Sequence, residues 1–244
     1  MSGEKMSVEI VSPGTSLEEK LAAAAVAIFD TLKSLPRTDR LTIGLCGGRS
    51  VVGLLGAIQA ESKNQPRELF DRLEFFMVDE RIVPLDDPQS NFGGLKNLLF
   101  DRLIAEGLLR PDQLHPFEAT RETASTQCEK YGEDLRAYGG RFAVVVLGMG
   151  EDGHIAGLFP GHPILQERSE SFVSFFDSPK PPPARMTAAP SLVLNARLGV
   201  LLALGEAKRD AWNNFRAEGV SVERCPARMV SRLPRALVIT DLDR

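Results

Sequence analysis

Five short apolar runs constrain this chain more than any other feature of its sequence. They are Leu41–Cys46 (LTIGLC), Leu73–Val78 (LEFFMV), Phe142–Gly148 (FAVVVLG), Gly199–Leu204 (GVLLAL) and Ala236–Thr240 (ALVIT). Runs of this length without polar alternation suit strands covered on both faces, as in a parallel sheet. Helical spacing fills the intervals. Leu17–Leu35 has apolar positions at helical period and is ended by Pro36; Ser50–Ala60, Asn91–Glu106 and Ala207–Glu218 come after the first, second and fourth runs. Strands alternating with helices predict an α/β domain with a mainly parallel sheet. With 244 residues, 43% of them hydrophobic, and neither an internal repeat nor a low-complexity linker, a single domain over residues 1–244 is expected.

The charge balance narrows the partners. A formal net charge of −4 supplies no general field for nucleic acid or anionic lipid. An anionic ligand must therefore be held by local cations or backbone dipoles. Cys46, Cys128 and Cys225 are too widely spaced for a disulfide framework or a zinc pattern. They fit a reducing compartment. The start, MSGEKMSVEIVSPG, lacks the apolar run of a signal peptide, and no stretch approaches the ~20 apolar residues of a membrane span. The expectation is a cytoplasmic protein with no nucleic-acid or membrane partner.

In parallel sheets ligands sit beyond the carboxyl ends of strands, so the polar segment after each run is informative. Gly47-Gly48-Arg49-Ser50 comes after the first run and before a helix. Glycines admit close backbone approach and a helix start attracts anions; the other reading is a plain strand-to-helix turn. Asp79-Glu80-Arg81 comes after the second run, with Asp86-Asp87-Pro88-Gln89-Ser90-Asn91 beyond it. Three consecutive ionisable residues there either face a cleft, with Arg81 offering a fork for phosphate, or form a solvated cluster before a Ser or Asn helix cap. Gly148-Met149-Gly150-Glu151-Asp152-Gly153-His154 places one of three histidines in a glycine-rich turn, two residues after an Asp. An imidazole that titrates near neutrality suits a general base, while a structural turn histidine is the alternative. Lys208, in Gly205-Glu206-Ala207-Lys208, opposes the dipole of the helix it starts unless an anion lies there; an exposed Lys is the alternative. His162 reads as a loop residue and His115 as a surface one.

Ser178–Thr187 (SPKPPPARMT) contains three consecutive prolines and reads as a stiff extended strap: a linker, a partner-docking polyproline segment, or a lid edge presenting Lys180 and Arg185 to the cleft. The chain has no HExxH, CxxC, GxSxG or Walker A motif, and GMGEDG lacks the dinucleotide spacing.

Taken in order, GGRS, VDERIVP with DDPQSNFG, LGMGEDGHIAGLFPGHP, SPKPPPARMT and LGEAKRDA resemble the 6-phosphogluconolactonases. These belong to a wider group that includes glucosamine-6-phosphate deaminase. The resemblance runs from about Leu41 to the C-terminal region, and GMGEDGHIAGLFPGHP is its most specific block. It implies a Rossmann-like, three-layer α/β/α fold and hydrolysis of 6-phospho-D-glucono-1,5-lactone without cofactor or metal. The expected form is a monomer whose only partner is the phosphosugar lactone. By motif match the resemblance implies His154 as catalytic base and Arg81 and Lys208 as phosphate ligands. It implies Gly47, Gly48 and Ser50 as a phosphate cradle beside Arg49, and Arg185 lining the substrate. Asp79 and Asp152 match acidic positions near the cleft. An oxyanion would be met by donors of the glycine-rich turn or by a nearby cation.

The chain departs from the family in its first loop, where Cys46-Gly47-Gly48-Arg49-Ser50-Val51 stands in place of Ser-Gly-Gly-Ser, then Thr or Ser, then Pro. Two rivals differ in kind. The deaminase branch continues its DGHIA motif with Asn-Glu-Pro, whereas this chain has Gly157-Leu158-Phe159-Pro160. A non-catalytic sugar-phosphate sensor would keep the cradle but has no need of His154.

Overall fold

The apolar runs are strands. The computed structural model describes residues 8–11 and 16–243. Its strands are β1 (Val8–Ile10), β2 (Leu41–Leu45), β3 (Leu73–Met77), β4 (Asp79–Arg81), β5 (Leu114–His115), β6 (Val144–Gly148), β7 (Phe172–Phe175), β8 (Arg185–Ala188), β9 (Leu198–Ala203) and β10 (Ala236–Thr240). Every residue of β2, β3, β9 and β10 is buried, as an apolar strand covered on both faces requires. The sheet has seven strands in the order β1-β10-β9-β6-β2-β3-β5, all neighbours parallel, in a three-layer α/β/α arrangement.

Helix Leu17–Ser34 shows how the layers join. Ser16 caps it in a reciprocal box with Glu19, accepting from the Glu19 amide at 3.2 Å while Glu19 accepts from the Ser16 amide at 2.8 Å. Leu21, Ala24, Ala25, Ile28, Phe29 and Leu32 then form one buried stripe at helical spacing. The expected helix at 91–106 is a continuous helical stretch from 91 to 105, with a π segment at Lys96–Phe100.

The topology positions the site. From β2 the chain moves outward through β3 to β5, then returns to place β6 on the other side of β2. The order reverses between β2 and β6, and their carboxyl ends open the crevice where such sheets hold ligands. A second, antiparallel sheet of β4, β8 and β7 sits at this edge, with Asp79 opposite Thr187, Glu80 opposite Met186 and Arg81 opposite Arg185. Among the described residues no helix is long and apolar enough to cross a membrane.

Candidate active site

The loop after β2 is shaped by two glycines with different reasons. Gly48 has φ 102, a left-handed conformation that side chains disfavour. Gly47 lies so close to Asn91 that a Cβ would meet its Oδ1 at 2.0 Å. The chain then turns through Arg49–Val51 into helix Val52–Ser62, with Arg49 exposed. The Ser50 hydroxyl accepts a hydrogen bond from the Lys208 ammonium, which arrives from the turn after β9. Burial pushes the Lys208 ammonium below the usual lysine range and Arg49 adds to this, against the attraction of Glu151 and Asp241. A partly desolvated lysine next to a second cation is a setting an anion would stabilise. Beneath the loop, Cys46 Sγ accepts from the Gly148 amide at 3.1 Å. Burial, then the charge of Asp79, pushes this thiol up to about 12, so it stays protonated at neutral pH and is no nucleophile.

The charged triplet after β3 divides its tasks. Glu80 is 1% exposed and does not face the cleft, which corrects the expectation for the triplet as a unit. Its carboxylate accepts from the amides of Arg81, Asn91 and Phe92, each at 2.7 Å, and from Ser90 Oγ at 3.3 Å. It thus completes the cap of the helix that starts at Asn91, while Ser90 Oγ accepts from the Gly93 amide at 3.0 Å. Burial raises the Glu80 carboxyl above its ordinary value, and the amide bonds pull it back. Asp79 is buried as well; its backbone carbonyl accepts from Asn91 Nδ2 at 2.9 Å. Arg81 donates through Nη1 to the Gln89 carbonyl at 2.5 Å, but its Nε is buried with no partner. An unsatisfied buried donor costs about 1–3 kcal/mol. Arg81 also lies directly across the strand pair from Arg185, a like-charge placement that is unfavourable without an anion or carboxylate nearby.

Arg185 is 5% exposed and largely committed. Its Nε donates to the Pro182 carbonyl at 3.2 Å and its Nη2 to the Pro181 carbonyl at 3.1 Å. Its Nη1 lies 3.9 Å from Asp79 Oδ2, and the guanidinium stands 5.5 Å over the Phe159 ring. Arg185 therefore secures the proline strap from beneath.

After β6 the chain makes a turn closed by hydrogen bonds from the Gly150 amide to the His154 carbonyl (2.8 Å) and from the Gly153 amide to the Gly150 carbonyl (3.0 Å). Gly150 has no room for a side chain, since a Cβ would meet His154 Nδ1 at 2.0 Å. The turn brings Asp152 Oδ1 to 2.5 Å from His154 Nδ1 and 3.2 Å from the His154 amide. Lys180 of the strap approaches the other oxygen, Asp152 Oδ2, at 3.3 Å. Burial pushes the Asp152 carboxyl up, but hydrogen bonds and charge from His154, with Lys180, outweigh it and hold it well below the usual carboxylate range. An ionised Asp152 accepts from Nδ1–H and leaves the His154 Nε2 lone pair free. The ring packs 4.8 Å from Phe159, and Ala156, just beyond, holds φ 49, a strained value for a residue with a side chain.

The candidates thus gather at one edge. Ser50, at the end of the Gly47-Gly48-Arg49-Ser50 loop, meets Lys208 beside the β2–β6 crevice, Asp79 and Arg81 follow β3, and Asp152 and His154 lie in the turn after β6. Asn91 and Phe159 also belong to this edge, and the sequence gives little sign of either. Asn91 is visible there only as a possible helix cap, and nothing local marks Phe159. His162 accepts from the Ile164 amide at 3.1 Å and so caps the turn Pro163–Gln166. His115 is a correction: it is no surface residue but lies stacked on Phe76 (centroids 4.2 Å apart) with Nε2 2.7 Å from Glu74. Among the described residues no cluster of His, Cys, Asp or Glu has a metal-holding arrangement.

Comparison with known proteins places this site in context. Residues 15–239 match the family model described as glucosamine-6-phosphate isomerases/6-phosphogluconolactonase. A 6-phosphogluconolactonase of Borreliella burgdorferi is 33% identical over 217 residues, covering 88% of this chain and 90% of that protein. The solved structure of the 6-phosphogluconolactonase from Trypanosoma brucei superposes with a TM-score of 0.79 at 26% identity, covering 98% of both chains. A monomeric glucosamine-6-phosphate deaminase superposes nearly as well, with a TM-score of 0.78 at 20% identity, covering 96% of this chain and 98% of that one. The fold is therefore shared with proteins of both names.

Proposed function

We propose that this chain, which belongs to the glucosamine-6-phosphate isomerase/6-phosphogluconolactonase family, hydrolyses 6-phospho-D-glucono-1,5-lactone to 6-phosphogluconate. The observation that carries the reading is the His154–Asp152 pair in the turn after β6, in which Asp152 holds Nδ1 and leaves Nε2 without a protein partner among the described residues. Lactone hydrolysis needs an activated water, a place for the developing negative charge and a held substrate. Neutral His154 takes a proton through Nε2 as water attacks C1. Asp152 keeps the tautomer and stabilises the imidazolium. The C1–ring oxygen bond then breaks, and the imidazolium returns its proton to the departing oxygen. One water is consumed and one carboxylic acid and one hydroxyl are formed. Base assistance of this kind is worth about 10²–10⁴-fold in rate.

The glycine amides at 150 and 153 already bond within their turn, so the oxyanion is assigned to a cation. We assign it to Lys180, whose ammonium lies 3.3 Å from Asp152 Oδ2. The remote phosphate is assigned to Gly47, Gly48, Arg49, Ser50, Arg81 and Lys208, with Arg185 fixing the strap and Asp79 fixing Arg185. Phosphate binding then supplies orientation for the reacting carbon. A single domain over residues 1–244, acting as a monomer without metal or cofactor in the cytoplasm, completes the reading.

Deamination is disfavoured by one position. Where that branch carries Glu after its DGHIA motif, this chain carries Gly157-Leu158-Phe159, and Phe159 places an apolar ring beside His154. The test offers the purified protein each substrate in turn. Acceleration of lactone opening that survives chelator, with no ammonia from glucosamine 6-phosphate, is expected. Ammonia release without lactone opening would overturn the reading.

A further inference from the structure

The same strands that carry the active site at their carboxyl ends border a second cleft at their amino ends. It has a volume of about 380 Å³ and is lined by Arg40, Tyr138, Arg141 and Arg197, with Asp39 the one acidic residue among the described residues that line it. Arg40 immediately precedes β2, Arg141 precedes β6 and Arg197 precedes β9, so the three arginines converge because their strands are neighbours. Five or six residues of strand at ~3.3 Å each put this cleft roughly 15–20 Å from the crevice at the other edge.

The arginines are not equivalent. Arg40 is paired with the buried Glu74, donates to the Asp71 carbonyl at 3.0 Å and stands 5.7 Å over the Tyr138 ring. Arg141 and Arg197 have no side-chain hydrogen bond or ion pair with any described residue. Asp39 does not neutralise them: its Oδ1 accepts from Thr38 Oγ1 at 3.3 Å, and among the described residues no cation lies within ion-pair distance. In a chain of net charge −4, Arg141 and Arg197, neither paired through its side chain with a described residue, thus line one concave space. Like charges so gathered repel, and a small anion relieves them. Guanidinium forks suit the oxygens of phosphoryl groups, and the volume falls in the range of small-molecule sites rather than of a polymer track.

We infer that this amino-edge cleft is a second anion site, independent of the active site, that takes a small phosphorylated molecule through Arg141 and Arg197. The probe is inorganic pyrophosphate, titrated calorimetrically into the full chain carrying Lys208→Ala, which weakens anion binding at the other edge. Saturable binding is expected, weakened at least tenfold by adding Arg141→Ala and Arg197→Ala. Those two substitutions in an otherwise unchanged chain should leave lactone hydrolysis within twofold, which also shows that it folds. If the alanine pair fails to fold, Arg141→Lys and Arg197→Lys, which keep the charge and lose the fork, should each weaken binding several-fold. Pyrophosphate binding unchanged by either pair of substitutions, no binding at all, or tighter binding of succinate than of pyrophosphate would overturn the inference.

Discussion

His154 and His115 each sit against a carboxylate, and the two pairs differ in which ring nitrogen is occupied. In the turn after β6, Asp152 takes Nδ1 of His154, and Nε2 points away with its lone pair free. Near the sheet edge, Glu74 takes Nε2 of His115, the ring lies flat on Phe76, and Tyr138 packs 5.3 Å away. The carboxylates differ as well. Glu74 is 1% exposed and shared with Arg40, so it is locked into the interior. Asp152 is partly open and reached by Lys180 from a strap above it. A histidine–carboxylate pair is therefore not a catalytic sign in itself. Each ring keeps one nitrogen without a side-chain partner, so what separates them is their setting: His154 lies in the turn at the carboxyl edge of β6, whereas His115 is packed against Phe76 and Tyr138.

The comparison breaks most decisively at His154. His154→Ala should keep the fold and phosphosugar binding and lose about 10²–10⁴-fold in kcat. His115→Ala should keep kcat within twofold. Next in size is Asp152→Asn, which preserves shape but no longer selects the Nδ1–H tautomer; a drop of about tenfold or more in kcat with KM little changed is expected in steady-state assays. His115→Phe sharpens the structural side. Its loss leaves Glu74 with one partner fewer, and a destabilisation of about 1–3 kcal/mol should appear in denaturant midpoints at pH 7.5.

The pH dependence of that loss has a definite sign. Burial, then the charge of Arg40, holds the His115 imidazole below its ordinary 6.5, against Asp134 and Asp112. The unfolded chain then binds the proton more readily than the folded one. The stability His115 contributes is full above about 6.5 and is lost as pH falls through the lower, folded value. Between pH 7.5 and 5 the parent should lose stability more steeply than His115→Phe. The smallest effect is expected at His162, which caps a short turn: His162→Ala should cost about 0.5–1 kcal/mol and leave turnover unchanged.

The central sheet was legible because its strands are apolar throughout. All five expected runs are strands, displaced by no more than two residues at an end: Phe142–Gly148 begins at Val144, and Gly199–Leu204 spans Leu198–Ala203. The antiparallel sheet at the crevice was not legible. Asp79–Arg81 is a strand made of three charged residues, and its pairing with Arg185–Ala188 joins positions about a hundred residues apart. Helix Ala124–Ala137 is not evident from the sequence either. Its buried stripe is Cys128, Tyr131, Gly132 and Leu135, and Gly132 is needed where a Cβ would meet Ser171 Oγ at 1.9 Å. At the site, residue types announced themselves while roles did not. Glu80 reads like its neighbours Asp79 and Arg81, yet it faces inward to cap the helix that starts at Asn91. His115 reads as incidental because Glu74 lies on another strand.

The decisive measurement is turnover of 6-phospho-D-glucono-1,5-lactone by the parent chain, His154→Ala and His115→Ala. The lactone is formed in place from glucose 6-phosphate by its dehydrogenase, and 6-phosphogluconate is monitored through the next dehydrogenase at limiting lactonase. The account predicts acceleration above the spontaneous rate by the parent and by His115→Ala, and its near-complete loss in a folded His154→Ala. Turnover by His154→Ala close to that of the parent would contradict it.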